Sequence, residues 1–66
     1  MKVIVNGHQR EVPDDATVAS VVADVSPATT GIAVALNDEV VRRTAWAATT
    51  VRDADRLEIL TAVQGG

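Results

Sequence analysis

Sixty-six residues carrying nine acidic and six basic side chains, with a net charge of −3 and a pI near 4.7, make one small acidic domain. A chain of this size buries roughly 60% of its unfolded surface, so it builds one modest core and has little room to wall an enclosed catalytic pocket. With no cysteine, disulfides, thiolate metal sites and side-chain persulfides are excluded, and the cytosol is the expected compartment.

The basic residues Lys2, Arg10, Arg42, Arg43, Arg52 and Arg56 are scattered. Phosphate neutralisation needs a clustered basic face, so nucleic acid is not an expected partner. The apolar run at the start, Met1 to Val5, is too short for a signal peptide or a membrane span, and no membrane association is expected.

In chain order, Met1 to Val5 alternates as a strand, with Met1, Val3 and Val5 on one face and Lys2 and Ile4 on the other. Asn6-Gly7 follows as a hairpin signal, because both residues tolerate positive φ. A second strand, about His8 to Val12, stops at Pro13. Thr17 is a candidate N-cap for a helix whose Val18, Val21, Val22 and Val25 fall on one stripe, with Ser20, Ala23 and Asp24 opposite and Pro27 closing the element. Four β-branched valines weaken intrinsic helicity, so packing on a sheet must hold this helix.

Ile32 to Leu36 is continuously apolar, as in a covered strand, and Asn37-Asp38 turns it into Glu39-Val40-Val41. Trp46, the only aromatic residue, lies in an Ala-rich stretch after Arg42-Arg43 and reads as a core plug on a short helical turn. Asp53-Ala54-Asp55 is a turn. Leu57 to Thr61 is the final strand, with Leu57 and Ile59 facing the core and Glu58 and Leu60 facing away. This order of strand, strand, helix and three strands predicts an α+β, ubiquitin-like β-grasp fold: a mixed sheet with one main helix on one face and the first and last strands parallel and central. The domain is expected over residues 1–62, with residues 63–66 as a flexible tail.

The side chains offer no convergent catalytic or metal-binding set. His8 is a lone imidazole beside a turn, and Asp14-Asp15 and Asp53/Asp55 occupy turns where aspartate bonds its own backbone. Chemistry is expected instead at Val63-Gln64-Gly65-Gly66. Glycines without Cβ can thread a narrow channel, leaving the Gly66 carboxylate unhindered. A terminal carboxylate titrates at about 3.3 to 3.7, so it is ionised at neutral pH, able to attack the α-phosphate of ATP but inert to acyl transfer until activated. Adenylation would install AMP as the leaving group, and a sulfur nucleophile could then form a C-terminal thiocarboxylate. Leu60, on the outer face of the strand that aims the tail, is expected to form with Ile4 an exposed apolar patch that docks onto the activating enzyme.

At these residues the chain resembles the ThiS family, the sulfur carriers of bacterial thiamin biosynthesis. The matching stretches are Val3-Ile4-Val5-Asn6-Gly7, Ala16-Thr17-Val18-Ala19, Gly31 to Asn37, Val40-Val41-Arg42-Arg43 with Trp46, and Asp53 to Gly66. The resemblance implies a cosubstrate rather than an enzyme, with no bound cofactor. It also implies three partners: an E1-like adenylyltransferase of the ThiF type that consumes ATP to activate Gly66, a persulfide protein that donates sulfur, and a thiazole synthase of the ThiG type that takes it for the thiazole of thiamin. Arg42 stands where proline is common, Ala54 where glycine is usual, and Val21-Val22 where leucines often lie. Two related readings share the fold and the Gly-Gly end: the small subunit of molybdopterin synthase, which is usually longer, and a ubiquitin-like protein modifier. Lys2 is the only lysine, so chains of the modifier itself are nearly excluded.

Overall fold

A computed structural model describes residues 1–26 and 31–61. The elements are β1 (Lys2–Val5), β2 (His8–Glu11), α1 (Val18–Val25), β3 (Ile32–Leu36), β4 (Glu39–Val41), a 3-10 helix (Arg43–Ala48) and β5 (Arg56–Thr61). The five strands form one sheet in the order β2-β1-β5-β3-β4, in which β1 and β5 run parallel and the other neighbours antiparallel. This is the β-grasp arrangement expected from the element order.

Both hairpins turn on two residues at positive φ, as the right-handed twist of paired strands favours. Asn6 and Gly7 sit at φ 51° and 83° between the paired Val5 and His8, and Asn37 and Asp38 at 49° and 71° between Leu36 and Glu39. β2 ends at Glu11, one residue before the expected limit, and all four of its residues are exposed at the sheet edge. Val12 beyond it turns inward to the core, and its N–H donates to the Met1 carbonyl at 2.9 Å.

Thr17 caps α1 as expected. Its hydroxyl accepts from the Ser20 N–H at 3.1 Å, and the Ser20 hydroxyl accepts from the Thr17 N–H at 2.9 Å, so two otherwise orphaned donors are satisfied. Val18, Val21 and Val22 are buried and Val25 is partly so. The predicted closure at Pro27 lies outside the described residues.

Val3 and Val5 of β1, Val34 of β3 and Leu57 and Ile59 of β5 meet this stripe from the sheet. Trp46 fills the same core from the 3-10 helix, 7% exposed, and its indole N–H donates to the Val41 carbonyl at 2.9 Å. The plug reading therefore holds, and the amphipathic indole has its polar atom paired. A contact not anticipated from sequence joins the start of α1 to the chain after the 3-10 helix. Val18 N–H donates to Thr49 O at 2.8 Å and Val51 N–H to Ala16 O at 3.1 Å, a short antiparallel bridge centred on Thr17 and Thr50. Arg42, at φ −65° and ψ 145°, has the backbone that a proline ring would impose.

Candidate functional site

β5 is the last described strand, and its neighbours fix how it is held in the sheet. On one side β3 pairs with it along its length, from Leu36 opposite Leu57 to Ile32 opposite Thr61. On the other side β1 covers only its first part, Ile4 opposite Arg56 and Val5 opposite Leu57. There the backbone turns away at Asn6, whose own N–H still donates to the Leu57 carbonyl at 2.9 Å. The Asn6 carboxamide then makes a two-point contact with Ile59: Ile59 N–H donates to Oδ1 at 2.8 Å, and Nδ2 donates to the Ile59 carbonyl at 3.1 Å.

The base of β5 is held by a second polar cluster. Asp55 accepts from Arg52 N–H at 2.7 Å and from Asn37 Nδ2 at 3.0 Å, while Asn37 Oδ1 accepts from Arg56 N–H at 3.0 Å. Asp53 accepts from Lys2 N–H at 2.9 Å. Asp55 thus bonds its own turn backbone at Arg52, as expected, and also the Asn37 carboxamide, whereas Asp53 departs from the expected local bond and reaches across to the backbone of β1 at Lys2. Asp14 lies by the N-terminal ammonium at 3.4 Å, Asp15 is exposed, and His8 is exposed on the edge strand. Among the described residues no group of three or more His, Cys, Asp or Glu side chains is placed to hold a metal ion.

Alternation along the strands puts Leu60, Glu58 and Arg56 of β5, Ala33 and Ala35 of β3, Val40 of β4 and Ile4 of β1 on the face opposite α1. Leu60 is 65% exposed and Val40 81%, the two exposed large apolar side chains among the described residues. The expected exposure of Leu60 is therefore observed.

The expected pairing of Leu60 with Ile4 in one patch is not. Ile4 lies opposite Arg56, four residues back along β5, which at about 3.3 Å per residue separates it from Leu60 by about 13 Å. Ile4 is half-buried, in a depression with Asn6, Gly7, Arg56, Leu57 and Glu58, whereas Leu60 lines another with Gly31, Ile32, Ala33 and Thr61. Leu60 is continuous instead with Ala33 beside it, then Ala35, then Val40 beside Ala35. Sequence reasoning missed Val40, although a signal existed: counting outward from a two-residue Asn37-Asp38 turn pairs Val40 with Ala35 and places both opposite the buried Val34. The sequence-predicted site residues Val63, Gln64, Gly65 and Gly66 lie outside the described residues.

The helix packed on one face of a five-stranded mixed sheet with parallel central β1 and β5 defines a β-grasp protein. The model of the ThiS family matches residues 3–66, and the chain belongs to that family, the sulfur carriers of thiamine biosynthesis. A crystal structure of the thiamine biosynthesis protein ThiS from Geobacter metallireducens superposes with a TM-score of 0.81 at 35% identity, covering 100% of both chains. The NMR solution structure of a thiamine biosynthesis protein from the same organism gives a TM-score of 0.81 at 35% identity, over 100% of this chain and 88% of that one. A thiazole synthase of Paramagnetospirillum magneticum is 32% identical over 66 residues, which is all of this chain and 20% of that protein. The chain thus spans about a fifth of the length of that curated relative. Among the described residues, no helix is long and apolar enough to cross a membrane.

Proposed function

We propose that the carboxylate of Gly66 is the sulfur-carrying group. The observation that carries the reading is the ThiS family match running through residue 66, on a fold whose last described strand leads directly into that segment. A carboxylate oxygen attacks the α-phosphorus of ATP in the site of a ThiF-type adenylyltransferase, and pyrophosphate leaves. The terminal sulfur of a protein persulfide then attacks the acyl carbon and AMP leaves. Cleavage of the resulting S–S bond by a thiol frees the thiocarboxylate. Gln64, Gly65 and Val63 thread the partner's active site, and the small glycines allow a close approach of its walls. A ThiG-type thiazole synthase is the proposed acceptor, a reading supported by the match of this chain to one fifth of a protein bearing that name.

Docking falls to the outer sheet face around Leu60. Contiguous apolar strips mark contact surfaces more often than isolated side chains do, and the exposed Leu60, Ala33 and Val40 join the half-buried Ala35 in such a strip. Incubation with the adenylyltransferase, ATP and a sulfur source should raise the intact mass by the oxygen-to-sulfur difference, mapped to the C-terminal peptide. An unchanged mass, or a shift located on any other peptide, would overturn the reading.

A further inference from the structure

The Asn6 carboxamide does more than its turn requires. At φ 51° the turn needs a residue that tolerates the left-handed region, and glycine satisfies that need fully. The side chain is free of that duty. It reaches across instead to Ile59, fifty-three residues away in sequence, and supplies one acceptor and one donor to that residue's N–H and C=O in a partly buried setting. Those are the two groups that a straight continuation of β1 would have paired through two of its residues, two apart, as in any parallel ladder.

We propose that Asn6 is a positioning residue for the carrier reaction, acting as a one-side-chain extension of β1 that holds β5 in the sheet as far as Ile59. The inference rests on the proposed function of Gly66. On the β1 side, Val5 opposite Leu57 is the last strand pair, so among the described residues only Asn6 covers that edge of β5 at Ile59. The other edge is already held by β3 as far as Thr61. With the carboxamide in place both edges are paired and the exit direction of β5 is set. Without it, the last turn of pleat is held from one side only, and a smaller fraction of molecules presents the tail in the orientation that the activating enzyme accepts. Apparent affinity falls in proportion to that fraction. The chemistry restricts the residue: aspartate keeps the acceptor but sets a negative charge against the Ile59 carbonyl, and glutamine is one methylene too long for the same reach.

The test is Asn6→Gly, which keeps the turn and removes the clamp, with Asn6→Asp as a second variant of native size. Two measurements are made on each full chain: amide hydrogen exchange, and steady-state adenylation by the ThiF-type enzyme with carrier as the varied substrate. The expected result is Ile59 exchange about ten-fold faster, with Val34 protection retained, and a KM for carrier about ten-fold higher with kcat preserved. Asn6→Asp should move in the same direction, without rescue. A purely structural contact would accelerate exchange at Ile59 and leave KM within two-fold of native, about the scatter of such measurements, and that result overturns the proposal. Unchanged exchange at Ile59 overturns it as well. If the native chain itself is not adenylated, the failure belongs to the Gly66 reading, whereas native activity with an unaltered KM in both variants sinks the role of Asn6 alone.

Discussion

Ala54→Gly should stabilise this protein, against the usual direction of an alanine-to-glycine change. Ala54 sits at φ 70° in the turn between Asp53 and Asp55, and its N–H donates to the Lys2 carbonyl at 2.7 Å. That bond ties the entry of β5 to β1, so the turn cannot relax its left-handed residue without losing it. An L-residue with a Cβ in this region costs about 1–2 kcal/mol, from the approach of Cβ to the following carbonyl oxygen. Glycine removes that cost but gains unfolded-state freedom worth about 0.4–1 kcal/mol. Ala54 is exposed, so no packing is forfeited. The balance is a gain of about 0.5–1 kcal/mol, which for a domain of this size raises Tm by about 4–7 °C. Thermal unfolding followed by circular dichroism measures it directly. Ala23, exposed on the helical backbone of α1, supplies the contrast: Ala23→Gly should lower stability by about 1 kcal/mol. Opposite signs at two exposed alanines would isolate backbone conformation as the cause. A fall or no change in Tm for Ala54→Gly would refute the reasoning, because nothing else at that position offsets the relief of strain.

Two further outcomes follow from burial. Trp46→Ala removes the 3-10 helix's contribution to the core and leaves the Val41 carbonyl without its indole donor; the expected loss of about 3–5 kcal/mol is a large share of the roughly 3–10 kcal/mol available to a chain of this length, so a urea midpoint equal to native would contradict the plug assignment. Leu60→Asp should change stability by less than about 1 kcal/mol, because the side chain is largely exposed, yet lower kcat/KM for adenylation about thirty-fold, the equivalent of a contact worth about 2 kcal/mol at an interface anchor. Native kinetics in that variant would remove the outer face of β5 from the docking surface.

Much of this protein is encoded within a few residues at a time. The two-residue turns, the Thr17 cap, the valine stripe of α1 and the alternation of β5 each rest on local periodicity or on the φ tolerance of particular side chains, and so the element order and the β-grasp topology could be read directly from them. The proposed Gly66 site rests on the same kind of signal: it is read from the last residues and from a family pattern along the chain, not from converging side chains. Ala54 shows the boundary of local reading. Its departure from the usual glycine was visible in the sequence, but the 2.7 Å bond to Lys2 that holds its backbone left-handed joins segments fifty-two residues apart. Tertiary structure alone decided which exposed residues are neighbours. Alternation correctly sent Leu60 and Ile4 to one face, but their separation is set by the register of β1 against β5, where Ile4 meets Arg56, and that register is a long-range pairing with no local signature. The same holds for the Asn6 carboxamide. A turn residue and a strand residue far along the chain become donor and acceptor only because the parallel pairing of β1 and β5 stops at Leu57 and leaves Ile59 one side chain's reach away.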